Sequence, residues 1–329
     1  MNSLFKSSYR AFTNIALIKY WGKRHEDLFL PLTSSLSLTL DAFYTDTTVE
    51  FKPNAKADVF ILDGVQQGVE LTQKVSQFVD LFRETAGMNM PVTVTSINHV
   101  PTAAGLASSA SAFAALASAC NGALGLGLDN RALSIYARQG SGSATRSLFG
   151  GFVVWHKGEG EDSQSSYAEA IDDAEWDIGM LVVIINQQQK KISSRVGMAH
   201  TRDTSPFYAM WPSEVEKDLA AIIPAIEAHD FETVGEIAEH NAMKMHASIL
   251  ASNPSFTYFE PDSLVAMAIV KELREQGIAC YVTMDAGPNV KVIGRLSEMD
   301  QIIARFKHDF KADQLIVAKP GSAPIELKA

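Results

Sequence analysis

Two hydrophobic rhythms run along the chain. In the first third, short stretches alternate apolar and polar residues with a period of two, as in Leu36-Ser37-Leu38-Thr39-Leu40 and Thr47-Thr48-Val49-Glu50-Phe51, the spacing of strands that bury one face. Turn signals such as Leu62-Asp63-Gly64 separate them, and strands of one mostly antiparallel sheet are expected. Residues 70–87 repeat at helical spacing, and Val92-Thr93-Val94-Thr95-Ser96 is a further strand ahead of a turn opened by Pro101. From Ala107 to Leu124 the residues are mostly alanine and serine, with Phe113 and Leu116 as the bulky exceptions. A helix this small on every side packs closely all round and belongs at the centre of a fold. Phe152–Trp155 and Ile178–Ile185 read as strands, the second a continuous apolar run suited to a sheet interior.

The second half is richer in helical spacing. Ser213 with Glu216 forms a capping-box pattern ahead of residues 219–228, residues 231–250 continue helically, and residues 262–276 end at Gly277. Strands follow at 278–283 and 290–294, then a helix opened by Ser297 and a last strand at 314–318. Helix-strand-strand-helix-strand order predicts a two-layer α+β unit with its helices on one face. Two domains are expected, 1–185 and 186–329.

With 329 residues and 47% hydrophobic content, the chain has material for a sizeable core in two domains or one large one. It lacks a run of eighteen apolar residues and its first residues lack the apolar stretch of a signal peptide, so no membrane partner is expected and the cytoplasm is the default location. A net charge of -10 argues against nucleic acid as the main partner. Positive charge is nevertheless concentrated at Lys19, Lys23 and Arg24, and again at Lys190, Lys191, Arg195 and Arg202, which leaves a small polyanion open, although either cluster taken alone reads first as scattered, solvated charge. Cys120 and Cys280 stand far apart and are expected as buried thiols. His240 and His246, six apart on one helix, lack the spacing for a shared metal and are expected to be structural.

Four segments carry candidate chemistry. Pro101-Thr102-Ala103-Ala104-Gly105-Leu106-Ala107-Ser108-Ser109-Ala110-Ser111 feeds small residues into the alanine-rich helix. Backbone N–H groups there can approach an anion, and serine hydroxyls can donate to phosphate or ligate Mg²⁺. Spacing alone leaves this open against a tightly packed helix cap that binds nothing. Lys19 sits at the end of an apolar strand within Asn14-Ile15-Ala16-Leu17-Ile18-Lys19-Tyr20-Trp21-Gly22-Lys23, where a solvated surface charge is hard to place. Trp21 is expected in the core. Gly140-Ser141-Gly142-Ser143-Ala144-Thr145-Arg146-Ser147 joins flexible backbone, hydroxyls and one arginine, a set able to wrap a carboxylate or to serve as a plain connector. Met284-Asp285-Ala286-Gly287-Pro288-Asn289 is a turn whose aspartate, taken alone, is an ordinary turn cap.

These four motifs, spread along nearly the whole chain, resemble the mevalonate diphosphate decarboxylase family of the GHMP kinase superfamily. The first resembles the GHMP phosphate motif Pro-x-x-x-Gly-Leu-Gly-Ser-Ser with Ala107 for its third glycine. The resemblance implies a GHMP kinase fold, with a ribosomal-protein-S5-domain-2-like N-terminal α+β domain and a ferredoxin-like C-terminal two-layer α/β domain. It implies ATP and Mg²⁺ as cofactors, mevalonate 5-diphosphate as the small-molecule substrate, and a homodimer. It assigns Asp285, Lys19 and Arg146 to catalysis. Tyr20, Lys23, Ser141, Gly142, Ser143, Arg146, Ser194 and Arg195 are expected at the substrate. Ser96, Asn98, Gly105, Leu106, Ala107, Ser108, Ser109 and Lys190 are expected at ATP, with Ser108 also on the metal. A relative that stops at phosphorylation, and a catalytically silent binding protein on the same fold, stand as rivals.

Overall fold

A computed structural model describes residues 5–99, 108–186, 188 and 191–328; of Ser108 it describes the backbone only. The first half runs β1 (Lys6–Ile18), a small hairpin of β2 (Lys23–His25) and β3 (Leu30–Pro31), β4 (Ser35–Phe51), β5 (Val59–Leu62), β6 (Val65–Gln66), α1 (Val69–Ala86), β7 (Val92–His99), α2 (Ser108–Leu124), α3 (Asn130–Gly140), a 3-10 turn at Gly142–Leu148, β8 (Phe152–Trp155) and β9 (Ala168–Asp172). The second half runs β10 (Gly179–Val183), α4 (Ser194–Thr204), α5 (Trp211–Glu227), α6 (Phe231–Leu250), α7 (Pro261–Glu275), β11 (Cys280–Met284), β12 (Val290–Gly294), α8 (Met299–Phe306), β13 (Leu315–Ala318) and β14 (Ile325–Glu326).

The two alternating runs around residues 36–51 form one strand. β4 pairs with β1 along its length, and the register jumps where Phe12 faces Tyr44 and Thr13 faces Leu40. Residues 41–43 bulge out there and the strand bends. The bulge receives the chain's far end: the Asp41 N–H donates to the Lys319 carbonyl at 2.9 Å and Gly321 to Thr39 at 2.8 Å. Around this spine the first sheet has the order β14-β1-β4-β7-β5-β6, with β8 and β9 attached to the other end of β4. It is antiparallel except where β5 lies parallel to β7. α2 is the buried helix its composition predicts, with Ala110, Ala114, Ala115, Ala117, Ala119 and Cys120 fully inaccessible.

The second sheet has the order β11-β12-β10-β13. β10, the apolar run read as closing the first domain, belongs here, so sheet membership changes between residues 172 and 179 instead of after 185. A continuous apolar run identifies a buried strand but not the sheet it joins. The helices of the expected helix-strand-strand-helix-strand run do share one face, but the opposite face is covered as well. Leu181, Val183, Val282 and Val292 pack against α7 and α8, whereas Met180, Val182, Ile184 and Ile293 face the cluster that contains α5, α6 and the end of β1. The sheet is covered on both sides, and α6 lies between the two halves. α5 begins at Trp211, two residues before the proposed cap: Pro212 occupies its first turn, and the Ser213 hydroxyl donates back to the Met210 carbonyl at 2.9 Å. Among the described residues no helix is long and apolar enough to cross a membrane. Cys120 and Cys280 are both free and buried.

Candidate active site

β1 carries Lys19 to its end, where the side chain is 2% exposed. Its Nζ donates to Asp285 Oδ1 at 2.8 Å and to the Ala16 carbonyl at 2.7 Å. Its backbone N–H donates to Asn241 Oδ1 of α6 at 2.8 Å. The same helix reaches the aspartate loop: the His246 ring nitrogen Nε2 lies 3.4 Å from the carbonyl of Met284. One helix thereby sets the height of both members of an ion pair whose residues are 266 positions apart. His246 is buried, as a structural histidine should be.

Asp285 meets a second cation that sequence reading missed. Lys291 of β12 is 0% exposed and places its Nζ 3.2 Å from Asp285 Oδ2 and 3.2 Å from the Asn289 carbonyl. The available signal was a lysine inside Val290-Lys291-Val292-Ile293, an otherwise apolar strand. Burial alone would raise the Asp285 carboxyl, but Lys19 and Lys291 more than reverse it and hold the group well below the usual carboxylate range. Burial lowers Lys19, and Asp285 opposes that shift. The aspartate stays charged and keeps 25% of its side chain open.

Arg146, in the 3-10 turn, is 2% exposed. Its Nη1 donates to Ser35 Oγ at 2.5 Å and its Nε to Asn14 Oδ1 at 3.3 Å. Asn14 in turn donates to the Ser143 carbonyl at 2.9 Å and to Ser147 Oγ at 2.8 Å. These acceptors are neutral, and burial pushes the guanidinium down to about 10, with Asp285 opposing through space. A buried guanidinium whose hydrogen bonds run to neutral acceptors has electrostatic room for an incoming anion. Ser35 is a further residue absent from the sequence reading, a polar position at the start of a buried strand.

The glycine-serine turn is shaped by close approach. A Cβ on Gly142 would lie 2.9 Å from the Trp155 ring and 3.0 Å from the Tyr20 ring, and those two rings meet at 4.9 Å. The Tyr20 hydroxyl is buried and has no hydrogen-bond partner among the described residues; burial raises its pKa. Ser141 Oγ lies 3.2 Å from Ser143 Oγ and 3.1 Å from Ser109 Oγ at the start of α2. Gly105, Leu106, Ala107 and Lys190 lie outside the described residues, as does the Ser108 side chain. Ser96 is only 5% exposed and its hydroxyl pairs with Thr47 at 2.9 Å. Asn98 Oδ1 accepts from Thr45 at 3.0 Å, and Thr45 meets Ser111 of α2 at 2.8 Å.

A second basic cluster lies beside the first. Lys23, Arg195 and Arg202 line one small pocket with Gly22, Glu26, Met198 and Ala199. Glu26 occupies it, accepting from Lys23 at 2.9 Å and from Arg202 at 3.5 Å. The Lys23 and Arg195 cations sit 4.0 and 5.5 Å from the Phe29 ring centre. Ser194 and Arg195 open α4, whose cap is the Ser193 hydroxyl. Gly22 has φ +141°, and a Cβ there would lie 1.9 Å from the Tyr208 hydroxyl, which donates to the Trp21 carbonyl at 2.9 Å. Trp21 itself is core, as expected.

Two basic sites flanking a charged aspartate, in a molecule of two α+β halves, suit a substrate with one anionic group at each end. The architecture is that of the GHMP kinase fold. Residues 11–168 match the diphosphomevalonate decarboxylase-like N-terminal domain, and residues 180–325 match the mevalonate 5-diphosphate decarboxylase C-terminal domain. The crystal structure of mevalonate diphosphate decarboxylase from Staphylococcus aureus is 44% identical, with a TM-score of 0.95 over 99% of each chain. MDDEF in complex with MVAPP, AMPPCP and magnesium is 48% identical, with a TM-score of 0.92 over 99% of this chain and 100% of that one. Diphosphomevalonate decarboxylase of Ganoderma lucidum is 36% identical over 92% of this chain and 81% of its own. The chain belongs to the mevalonate diphosphate decarboxylase family.

Proposed function

We propose that this chain catalyses the ATP-dependent decarboxylation of mevalonate 5-diphosphate to isopentenyl diphosphate, ADP, phosphate and CO₂, within the mevalonate pathway of isoprenoid synthesis. The observation that carries this reading is the Lys19–Asp285 pair, 2.8 Å apart with the lysine buried and the aspartate partly open, beside a buried Arg146 held by neutral acceptors. The Arg195 and Lys23 cluster suits the diphosphate, and Arg146 suits the carboxylate at the other end of the molecule. Binding energy from the remote diphosphate can position the reacting end.

A tertiary alcohol is a poor leaving group until it is phosphorylated. Asp285 orients the C3 hydroxyl as its oxygen attacks the terminal phosphorus of ATP; the bond from that phosphorus to ADP breaks, ADP leaves with the electron pair, and the hydroxyl proton passes to the transferred phosphoryl group, a transfer that depends mainly on alignment and charge. When the C3–O bond breaks, phosphate leaves with the electron pair and positive charge grows at C3. The C1–C2 bond then supplies two electrons to form the C2–C3 double bond as CO₂ departs. Asp285, ionised and held in place, favours that charge electrostatically. Arg146 fixes the carboxylate until it leaves, and the Tyr20 hydroxyl and the Ser141 and Ser143 hydroxyls provide further hydrogen bonds.

The start of α2 fits a triphosphate: its first turn carries no acidic residue, and the Ser109 and Ser141 hydroxyls converge there at 3.1 Å. Ser108 and Ser109 would hold the ATP phosphates, with Gly105, Leu106, Ala107 and Lys190 alongside, and Ser108 would ligate Mg²⁺, which when bound neutralises phosphate charge. Ser96 and Asn98 enter as supports of the nucleotide side through their bonds to Thr47 and Thr45. A homodimer and a cytoplasmic location complete the reading on the ground of family likeness. A coupled assay with mevalonate 5-diphosphate tests it: ADP, phosphate and CO₂ should appear in equal amounts. A stable 3-phosphorylated product without CO₂ would replace the decarboxylase by a kinase.

A further inference from the structure

We propose that Lys291 is a positioning residue for this reaction, locking the plane of the Asp285 carboxylate by holding its second oxygen while Lys19 holds the first. The inference rests on the reading of the site just given. Lys291 lies on β12 between Val290 and Val292, which face the α7 and α8 cluster. Its side chain therefore points the other way, with Ile293, toward β1 and α6. Nothing about strand packing asks for an ammonium there. Burying a cation costs several kcal/mol before its partners are counted, and replacing a buried ion pair by apolar residues is often neutral or stabilising. Valine would serve the sheet.

What the lysine adds is geometric. Lys19 alone, donating to Oδ1 at 2.8 Å, leaves the carboxylate free to turn about its Cβ–Cγ bond. With Lys291 Nζ 3.2 Å from Oδ2, both oxygens are held. Lys291 is itself fixed by the Asn289 carbonyl at 3.2 Å, on the far side of the same loop. The lone pairs left over point to the cleft, where Asp285 is 25% exposed. The charged and titratable groups that face this carboxylate are Lys19 from β1, Lys291 from β12, Arg146 from the 3-10 turn and His246 from α6. Burial pushes His246 down to about 4, so it is neutral at working pH and the other three supply the positive field.

The test is Lys291→Met, an uncharged chain of similar length, assayed in the full-length protein with mevalonate 5-diphosphate and MgATP. The expected result is a fall in kcat of about 10- to 100-fold, the scale of a misplaced reacting group, with both KM values within about twofold of the parent. The acid limb of the kcat profile should move to higher pH, because Asp285 has lost one of the cations that keep it ionised. A lysine whose charge does not act on Asp285 would leave that limb in place. Thermal unfolding of Asp285→Asn against Asp285→Asn/Lys291→Met gives an arm independent of activity. Once the carboxylate is neutral, removing the second ammonium should raise Tm. Parent-like kcat in Lys291→Met, an unmoved acid limb, or a double variant no more stable than Asp285→Asn would each overturn the proposal. Failure of the parent to turn over mevalonate 5-diphosphate would instead sink the functional reading, while leaving the unfolding comparison intact.

Discussion

Replacing Arg146 with methionine should stabilise the protein while crippling it. In the folded state burial moves the guanidinium from its ordinary 12.5 down to about 10. At about 1.36 kcal/mol per pKa unit, that is a destabilisation of roughly 3 kcal/mol. The folded value lies below the unfolded one, so the penalty is present in full below pH 10 and is relieved only as pH rises from 10 to 12.5. Methionine removes the charge, but Asn14 Oδ1 and Ser35 Oγ each lose a donor, at about 1 kcal/mol apiece. The balance is a gain of about 1 kcal/mol, or a Tm rise of ~1–2 °C for a chain of this size. On the role proposed for Arg146, the substrate carboxylate, by contrast, loses a charge-assisted partner worth about 1.5 to 3 kcal/mol. That corresponds to a fall of roughly 10- to 150-fold in kcat/KM. Thermal unfolding and a coupled ADP-release assay on the same preparation measure both. A variant with lower Tm and parent-like kcat/KM would refute the reasoning, because Arg146 would then be a structural cation and not a substrate anchor.

Glu26→Gln should lower KM for mevalonate 5-diphosphate a few-fold at unchanged kcat: the carboxylate fills a pocket with about 10 Å³ left, and a neutral amide competes less well for Lys23 and Arg202. An unchanged or higher KM would show that Glu26 does not stand in the diphosphate's way. His246, buried and pushed down from 6.5 to about 4, binds its proton more readily in the unfolded chain. Stability should therefore fall by up to roughly 3 kcal/mol between pH 6.5 and 4, at about 1.36 kcal/mol per pKa unit, and His246→Gln should flatten that slope in urea titrations. Asn241→Leu removes the acceptor of the Lys19 backbone amide; an orphaned buried N–H costs about 1 to 3 kcal/mol. The expected signature is lower Tm with a fall in kcat, and parent-like kcat would mean that Lys19 holds its place without α6.

Much of this site could be read from the chain because its parts are local words: the strand end at Lys19, the turn at Asp285 and the serine-glycine turn at Arg146 each lie in a short segment. The fold was legible where period and punctuation agree, as in residues 231–250, which form one helix with those bounds. Other features depend on encounters that no short segment records. The bulge at 41–43 made one strand look like two, since its cause is the docking of residues 319–321. β10 carried a strand's pattern without an address. Asn241 is an ordinary helix residue until β1 reaches it. Lys291 was the exception: an ammonium inside a run of valine and isoleucine is itself a signal, and it went unused because the neighbouring turn already supplied an aspartate.

The distance between Lys19 and Asp285 along the chain, 266 residues, bears on how the molecule is born. Translation delivers the lysine well before its counter-charge, and the amide of Lys19 waits almost as long for Asn241, 222 residues on. A nascent chain that closed its first sheet early would bury an ammonium with no anion to meet it, at a cost of several kcal/mol. The end of β1 is therefore expected to stay open and wet on the ribosome until the second half arrives. An interrupted chain then holds an exposed strand end that proteases and chaperones can grip, and it has no assembled centre with which to spend ATP.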